Sequence, residues 1–212
     1  MRIIIAGGHG KIALRLAARL REGAVGLVRN PAHVADVEAT GAQAVVCDLE
    51  RASAEEVTAI VRGADAVVFA AGAGPGSGAA RKDTVDRAAS VLVADAAERA
   101  GVGRFIQISS MGAGRPAAGG DEVWAAYIRA KTEAEDDLRR RDLAWTILRP
   151  GRLTDEPGTG LVRLAPEVPP GEVPRDDVAA VIMALLEHPG TARQTLELVS
   201  GDTPIIDLIA TE

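Results

Sequence analysis

The chain has 212 residues, 47% of them hydrophobic and 25% charged, enough apolar material for one sizeable core, and it predicts a single domain over 1–212. A net charge of −6 and the lack of any lysine-rich arm exclude the electrostatic footprint of a nucleic-acid binder. Cys47 stands alone, which excludes an internal disulfide and a Cys-x-x-Cys pair, and the N-terminal apolar run Ile3 to Ala6 is too short for a signal-peptide core or a membrane span, so the expected location is the cytoplasm.

In chain order, apolar runs of strand length occur at Arg2 to Ala6, Ala24 to Val28, Ala42 to Cys47, Ala66 to Ala71, Arg104 to Ser109, Ala144 to Leu148 and Thr195 to Val199. Helical spacing follows the first run through Ile12, Leu16 and Leu20, and recurs over Thr84 to Ala100 and Val123 to Arg140. Asp83 and Asp121 are placed to cap the last two. The segment Pro166 to Pro174 reads as a surface loop ahead of a final helix starting near Asp176. Continuous apolar strands alternating with helices predict a doubly wound α/β fold with a parallel sheet, helices on both faces, and a small substrate-side portion over about 150–212. Ligands of such sheets sit beyond the carboxyl ends of the strands, which directs attention to the loops Gly7 to Gly10, Gly72 to Lys82, Ser110 to Gly120 and Pro150 to Gly160.

The first of these, Gly7-Gly8-His9-Gly10-Lys11-Ile12-Ala13, joins the first strand to the first helix and matches G-x-x-G-x-x-A. Gly7 permits a tight turn, Gly10 lets backbone approach a diphosphate, and Ala13 lets the helix pack closely while its N-terminus stabilises the anion. A nucleoside-triphosphate loop does not fit, because Ile12 stands where a metal-binding Ser or Thr would follow Gly10-Lys11. Nineteen residues past Gly10, where a dinucleotide fold puts an acid on the adenosine ribose, stand Arg29 and Asn30. A guanidinium there suits a 2′-phosphate, and without a carboxylate the phosphate meets no repulsion, so the cofactor expected is NADP; the alternative is a solvated arginine at a strand end. Asp48 can accept from the adenine amino group or serve as a turn residue.

The sole tyrosine, Tyr127, lies four residues before Lys131, one of three lysines against 21 arginines. Tyr-x-x-x-Lys on a helix puts both side chains on one face, where the ammonium stabilises a phenolate and prepares the tyrosine to exchange a proton with a substrate oxygen during hydride transfer. The same lysine can reach ribose hydroxyls, or it can snorkel at the edge of the apolar stripe Val123, Tyr127, Ala130, Ala134, Leu138. Ser109 and Ser110 end the fifth strand; Ser110, just past it, is the better donor to a substrate oxygen, although serines also simply terminate strands. No metal is expected, since His9, His33 and His188 lack ligand spacing, and no G-x-S-x-G elbow is present.

Together IIIAGGHGKIA, LVRNP, CDL, VVFAAGAG, ISSMGA, YIRAK, ILRPGRLTDEPGTG and VPRDDVA, in that order, resemble the atypical NAD(P)H-binding branch of the short-chain dehydrogenase/reductase superfamily, related to NmrA-like and biliverdin-IXβ-reductase-like proteins. The resemblance implies an NADP-binding Rossmann core with Tyr127 and Lys131 as the catalytic pair and Ser110 as the substrate serine. It implies cofactor contacts at Gly7 through Ile12, Arg29, Asn30, Asp48, Leu49, Ala70, Ala71, Gly72, Ser109, Lys131, Pro150, Gly151 and Leu153. Asp86 stands where the superfamily has a catalytic asparagine; it can orient water in a proton relay, or be a helix N-terminal acid favoured by the macrodipole. The leading expectation is an NADPH-dependent oxidoreductase acting on a small carbonyl, quinone or similar acceptor. The rivals are a non-catalytic NADP(H)-binding redox sensor and, third, a sugar epimerase, which in that branch has a larger C-terminal substrate domain than the roughly 60 residues that follow the sixth strand here.

Overall fold

A computed structural model of the chain describes residues 1–74, 76–116 and 121–209. Pro75 of the second predicted loop and 117–120 of the third lie outside the described residues. The strands are β1 (Ile3–Ala6), β2 (Ala24–Val28), β3 (Gln43–Val46), β4 (Ala66–Phe69), β5 (Arg104–Ile108), β6 (Ala144–Pro150), β7 (Arg152–Thr154), β8 (Leu161–Ala165), β9 (Glu172–Pro174), β10 (Gln194–Ser200) and β11 (Thr203–Pro204). The α-helices are α1 (Lys11–Leu20), α2 (Val34–Glu38), α3 (Ala54–Val61), α4 (Ala79–Arg81), α5 (Ala89–Arg99), α6 (Glu122–Arg139) and α7 (Arg175–Glu187).

Nine of the strands form one sheet in the order β11-β8-β10-β6-β5-β4-β1-β2-β3. β1 to β6 and β10 run parallel, with Ile3 opposite Ala24 on one side and Ala66 on the other. Every residue of β1 and β4 is buried, as their unbroken apolar runs require. Helices α1 and α7 cover one face through Leu16, Ala17, Val181 and Ile182; α3, α5 and α6 cover the other through Val57, Val93 and Leu138. This is the expected doubly wound Rossmann-like architecture. The winding reverses between β1 and β4, which opens a crevice at their carboxyl ends.

Four details differ from the sequence reading. β3 is an edge strand rather than a doubly buried one, and Val46 is half exposed because no strand lies beyond it. The sheet is not wholly parallel, since β8 and β11 add antiparallel pairing beyond β10. The segment 166–174 is more than a surface loop: β9 pairs with β7 in a second small sheet, and Val168 and Val173 are buried. Asp83 caps nothing, because the helical run begins at α4 behind Gly78 and passes through a π-helical stretch, Lys82–Ala88, before α5; Asp83 sits inside that stretch and binds Arg87 at 2.6 and 2.9 Å. Asp121 does cap α6, accepting from the Trp124 N–H at 2.8 Å.

Candidate active site

Two cavities meet at the crevice. The first, of about 310 Å³, lies beyond the ends of β1 to β4 and is lined by Gly7, His9, Gly10, Arg29, Asp48 and Leu49 among others. Gly7 adopts φ +82°, and a Cβ there would stand 2.6 Å from the Ala71 Cα, so the turn admits only glycine. Gly8 faces away from the cavity: its N–H binds the Leu27 carbonyl at 2.8 Å, and a Cβ would meet the Gly26 Cα at 2.6 Å. Its expected cofactor contact is therefore a strand-packing contact. Gly10 is the N-cap of α1, with extended backbone, no side-chain cap and no acid in the first turn. The N–H groups of the first turn are thus without helical partners at the positive end of the dipole, on a groove that Gly10 lines. That cradle fits the diphosphate of a dinucleotide.

At the adenosine end the picture changes. Arg29 is held by Glu50, from the loop after β3, at 2.9 Å; Glu50 also accepts from Arg81 at 2.8 Å and Thr84 at 2.7 Å. Those bonds, Arg81 and Thr84 foremost and Arg29 after them, hold the Glu50 carboxyl down to about 2 against the opposing effect of burial. The reading that no carboxylate faces the 2′-phosphate position is corrected: β3 lies beside β2 and delivers one, together with a second guanidinium from α4. Asp48 takes the turn role, accepting from the Glu50 N–H at 3.1 Å while still lining the cavity. Asn30 caps the following turn through the Ala32 N–H at 3.0 Å and lines neither cavity. Lys11 also lines neither and reaches Asp155 at 2.5 Å. His9 lies in stacked contact with His33, ring centres 3.7 Å apart, and its Nε2 is 2.8 Å from Asp36.

The second cavity, of about 1270 Å³, continues from the first across Ala70, Ala71 and Gly72, which line both. It takes in Ile12, Ser109, Ser110, Pro150, Gly151 and Leu153, and it is here that Tyr127, Lys131 and Asp86 converge. Lys131 is 4% exposed and does not snorkel. Its ammonium donates to the Ile108 carbonyl at 3.2 Å, pairs with Asp86 at 3.2 Å and lies 5.8 Å from the centre of the Tyr127 ring. Asp86 is 1% exposed and accepts from the Ala73 N–H at 3.2 Å with its other oxygen. It lies well inside the helical run, in the π-helical stretch, so the helix-terminus alternative falls away, and both oxygens are committed to holding Lys131 and the loop after β4. π-Helical turns are frequent at functional sites.

The serines separate as well. Ser109 is buried and donates to Glu135 at 2.5 Å, whereas the hydroxyl of Ser110, half-buried at the cavity wall, makes among the described residues only a 3.3 Å bond to the Met111 carbonyl. Val123 is exposed at the cavity mouth, not part of a buried stripe.

Sequence reasoning missed three side chains here. Lys82 is 9% exposed, donates to the Gly74 carbonyl at 3.0 Å and lies 5.2 Å from the centre of the Tyr127 ring; its rarity was the available signal. Glu135 continues the series Tyr127, Lys131 at the same four-residue step and, fully buried, accepts from Ser109, Arg139 and both Nε and Nη2 of Arg149. Glu50 carried no local signal. Among the described residues no group of three or more His, Cys, Asp or Glu side chains is arranged for a metal, and no helix is long and apolar enough to cross a membrane.

Residues 7–189 match the NAD(P)H-binding family. YhfK of Bacillus subtilis, described as an uncharacterized sugar epimerase, is 35% identical over 213 residues, spanning 99% of each chain. A solved structure from Bacillus halodurans, provisionally described as an NAD-dependent epimerase/dehydratase, superposes with a TM-score of 0.91 at 36% identity over 99% of each chain. ChuY, an anaerobillin reductase from Escherichia coli O157:H7, superposes with a TM-score of 0.76 at 27% identity over 95% of this chain and 98% of that one.

Proposed function

The chain belongs to the NAD(P)H-binding family, and from that premise we propose that it is an NADPH-dependent oxidoreductase that passes hydride to a small carbonyl, quinone or similar acceptor. The observation that carries this reading is the buried Lys131 ammonium, fixed by Asp86 and the Ile108 carbonyl beside Tyr127, in a cavity continuous with the glycine-loop groove. The uncapped first turn of α1 would hold the diphosphate, and Pro150, Gly151 and Leu153 would border the nicotinamide. When bound, the cofactor supplies two electrons as hydride.

The chain's own residues manage the proton. Tyr127 is the general acid toward the acceptor oxygen, and the Lys131 charge stabilises the negative charge left on the phenol as the proton leaves. Lys131 keeps one of its three N–H donors beyond those to Asp86 and Ile108, available to a ribose hydroxyl. Ser110 donates to the same acceptor oxygen, and Asp86 positions Lys131. The experiment is NADPH oxidation over a panel of quinones, flavins, aldehydes and ketones: turnover with at least one member is expected, and tight cofactor binding with no turnover on any would favour a redox sensor instead.

The descriptions of the two Bacillus relatives favour a second reading, an epimerase that uses the same tyrosine without net cofactor consumption. Stoichiometric loss of NADPH with reduced product separates the two.

The cofactor preference rests on the pair Arg29 and Arg81, with Glu50 holding both in place until a 2′-phosphate competes for them. Titration against Trp124 and Trp145 fluorescence is expected to show NADP binding at least about tenfold tighter than NAD, with the ratio collapsing in Arg29→Ala. Glu50→Gln removes the carboxylate's repulsion and is expected to raise NADP affinity while leaving NAD unchanged. Equal wild-type affinities would refute the assignment.

A further inference from the structure

We propose that the acceptor is an apolar molecule bearing a carboxylate, and that Lys82 binds that carboxylate. This deepens the oxidoreductase reading and rests on it for the identity of the larger cavity as the acceptor site.

The argument begins with charge balance in that cavity. Five cationic side chains line it, and four have a carboxylate of the chain within ion-pair distance: Lys131 with Asp86 at 3.2 Å, Arg115 with Glu167 at 2.8 Å, Arg175 with Asp155 at 3.1 Å, and Arg152 with Glu172. Lys82 has none among the described residues. Among the described residues its ammonium has one hydrogen-bond acceptor, the Gly74 carbonyl, and the face of the Tyr127 ring. An ammonium has three donors, and one that is nine-tenths buried without an anion carries a desolvation cost that a hydrocarbon side chain would avoid. A carboxylate of the bound acceptor supplies the missing partner.

The position of Lys82 and its surroundings indicate the rest of the ligand. The π-helical stretch places Lys82 and Asp86 on the same cavity, one beside Tyr127 and the other clamping Lys131. A carboxylate on Lys82 therefore anchors the acceptor next to the proton donor. Val123 and Trp124, from the first turn of α6, are among the few large apolar side chains of the described residues left exposed, at 36% and 40%, and both line the cavity. The Trp124 ring lies 5.5 Å from that of Tyr127, tilted by 35°, which offers an apolar wall for a planar body attached to the carboxylate.

The test uses the NADP-loaded protein and two isosteric probes, 2-naphthoate and 2-naphthamide, with binding read by calorimetry. The acid is expected to bind about tenfold or more tighter than the amide in wild type, since a charge-assisted bond replaces a neutral one. In Lys82→Met the ratio falls to about one with the amide affinity unchanged, and in Lys82→Arg most of it returns. NADP titration of each variant verifies that the fold is intact. Acid no tighter than amide in wild type, including no binding of either, overturns the proposal, as does a ratio that survives in a folded Lys82→Met. Failure of the oxidoreductase reading shows separately, as a preserved acid-to-amide ratio in a protein for which no acceptor of the panel supports NADPH oxidation.

Discussion

Tyr127→Phe is expected to lower kcat/KM for NADPH-dependent reduction by about 10²–10⁴-fold, the usual range for removing a positioned general acid, with NADP affinity almost unchanged. The separation follows from geometry. Tyr127 lines only the larger cavity, whereas the glycine loop, the α1 N-terminus and Arg29 belong to or border the smaller one, so losing one hydroxyl removes proton delivery without disturbing the cofactor groove. The variant keeps the ring and hence its contacts with Trp124, Lys82 and Lys131. Because the chain has a single tyrosine, the loss of phenol absorbance gives an independent check that the intended group has been removed. Steady-state kinetics with NADPH and the best acceptor of the panel measures the effect. Turnover unaffected by the change would dismiss the tyrosine from the chemistry.

Glu135→Ala is expected to destabilise the fold by about 3–5 kcal/mol, the loss typical of stripping one partner from a buried ion pair. Glu135 is fully buried and joins three elements: its own helix α6 through Arg139 at 2.7 Å, the end of β5 through Ser109 at 2.5 Å, and β6 through Arg149 at 2.9 and 2.5 Å. Burial penalises the Arg149 guanidinium, yet the hydrogen bonds and charge of Glu135, with the charges of Glu197 and Asp136 behind them, together offset this and hold its pKa above the usual value. Without Glu135 that guanidinium stays largely buried with its main counter-ion gone. A midpoint of thermal unfolding lower by on the order of 10 °C is the expected reading, and urea denaturation gives the free energy. Because Glu135 sits two helical steps below Tyr127, residual activity in the folded fraction is also expected to fall, as α6 loses its register against β5.

The central sheet was readable because β1 and β4 are unbroken apolar runs, β5 is buried throughout with Phe105, Ile106 and Ile108 as its apolar residues, and the glycine loop falls at the first strand-to-helix turn. Beyond β6 only β10 was legible, as the run Thr195 to Val199; β7, β9 and β11 are two or three residues long, the last two ending in proline, which leaves no periodicity to detect. Asp83 misled because an uninterrupted 3.6-residue period was assumed where the chain inserts a π-helical stretch, and the helical run starts at Ala79.

At the site, Tyr127 and Lys131 were legible as neighbours on one helix face, and Glu135 could have been found by extending the same step. The convergence of Lys82 with them depends on α6 packing against the π-helical stretch, a long-range fact that the rarity of lysine could only hint at. The Arg29–Glu50 pair was unreadable for the same reason: the two meet only because β2 and β3 are sheet neighbours.

The most direct test of the central claim is transfer of deuterium from carbon 4 of stereospecifically deuterated NADPH, using each diastereomer in turn, to an aldehyde or ketone acceptor, read as carbon-bound label in the alcohol by mass spectrometry. Hydride transfer on one face of the site predicts label from one diastereomer and none from the other. Cofactor that binds but gives up label to no product from either diastereomer would contradict the oxidoreductase reading.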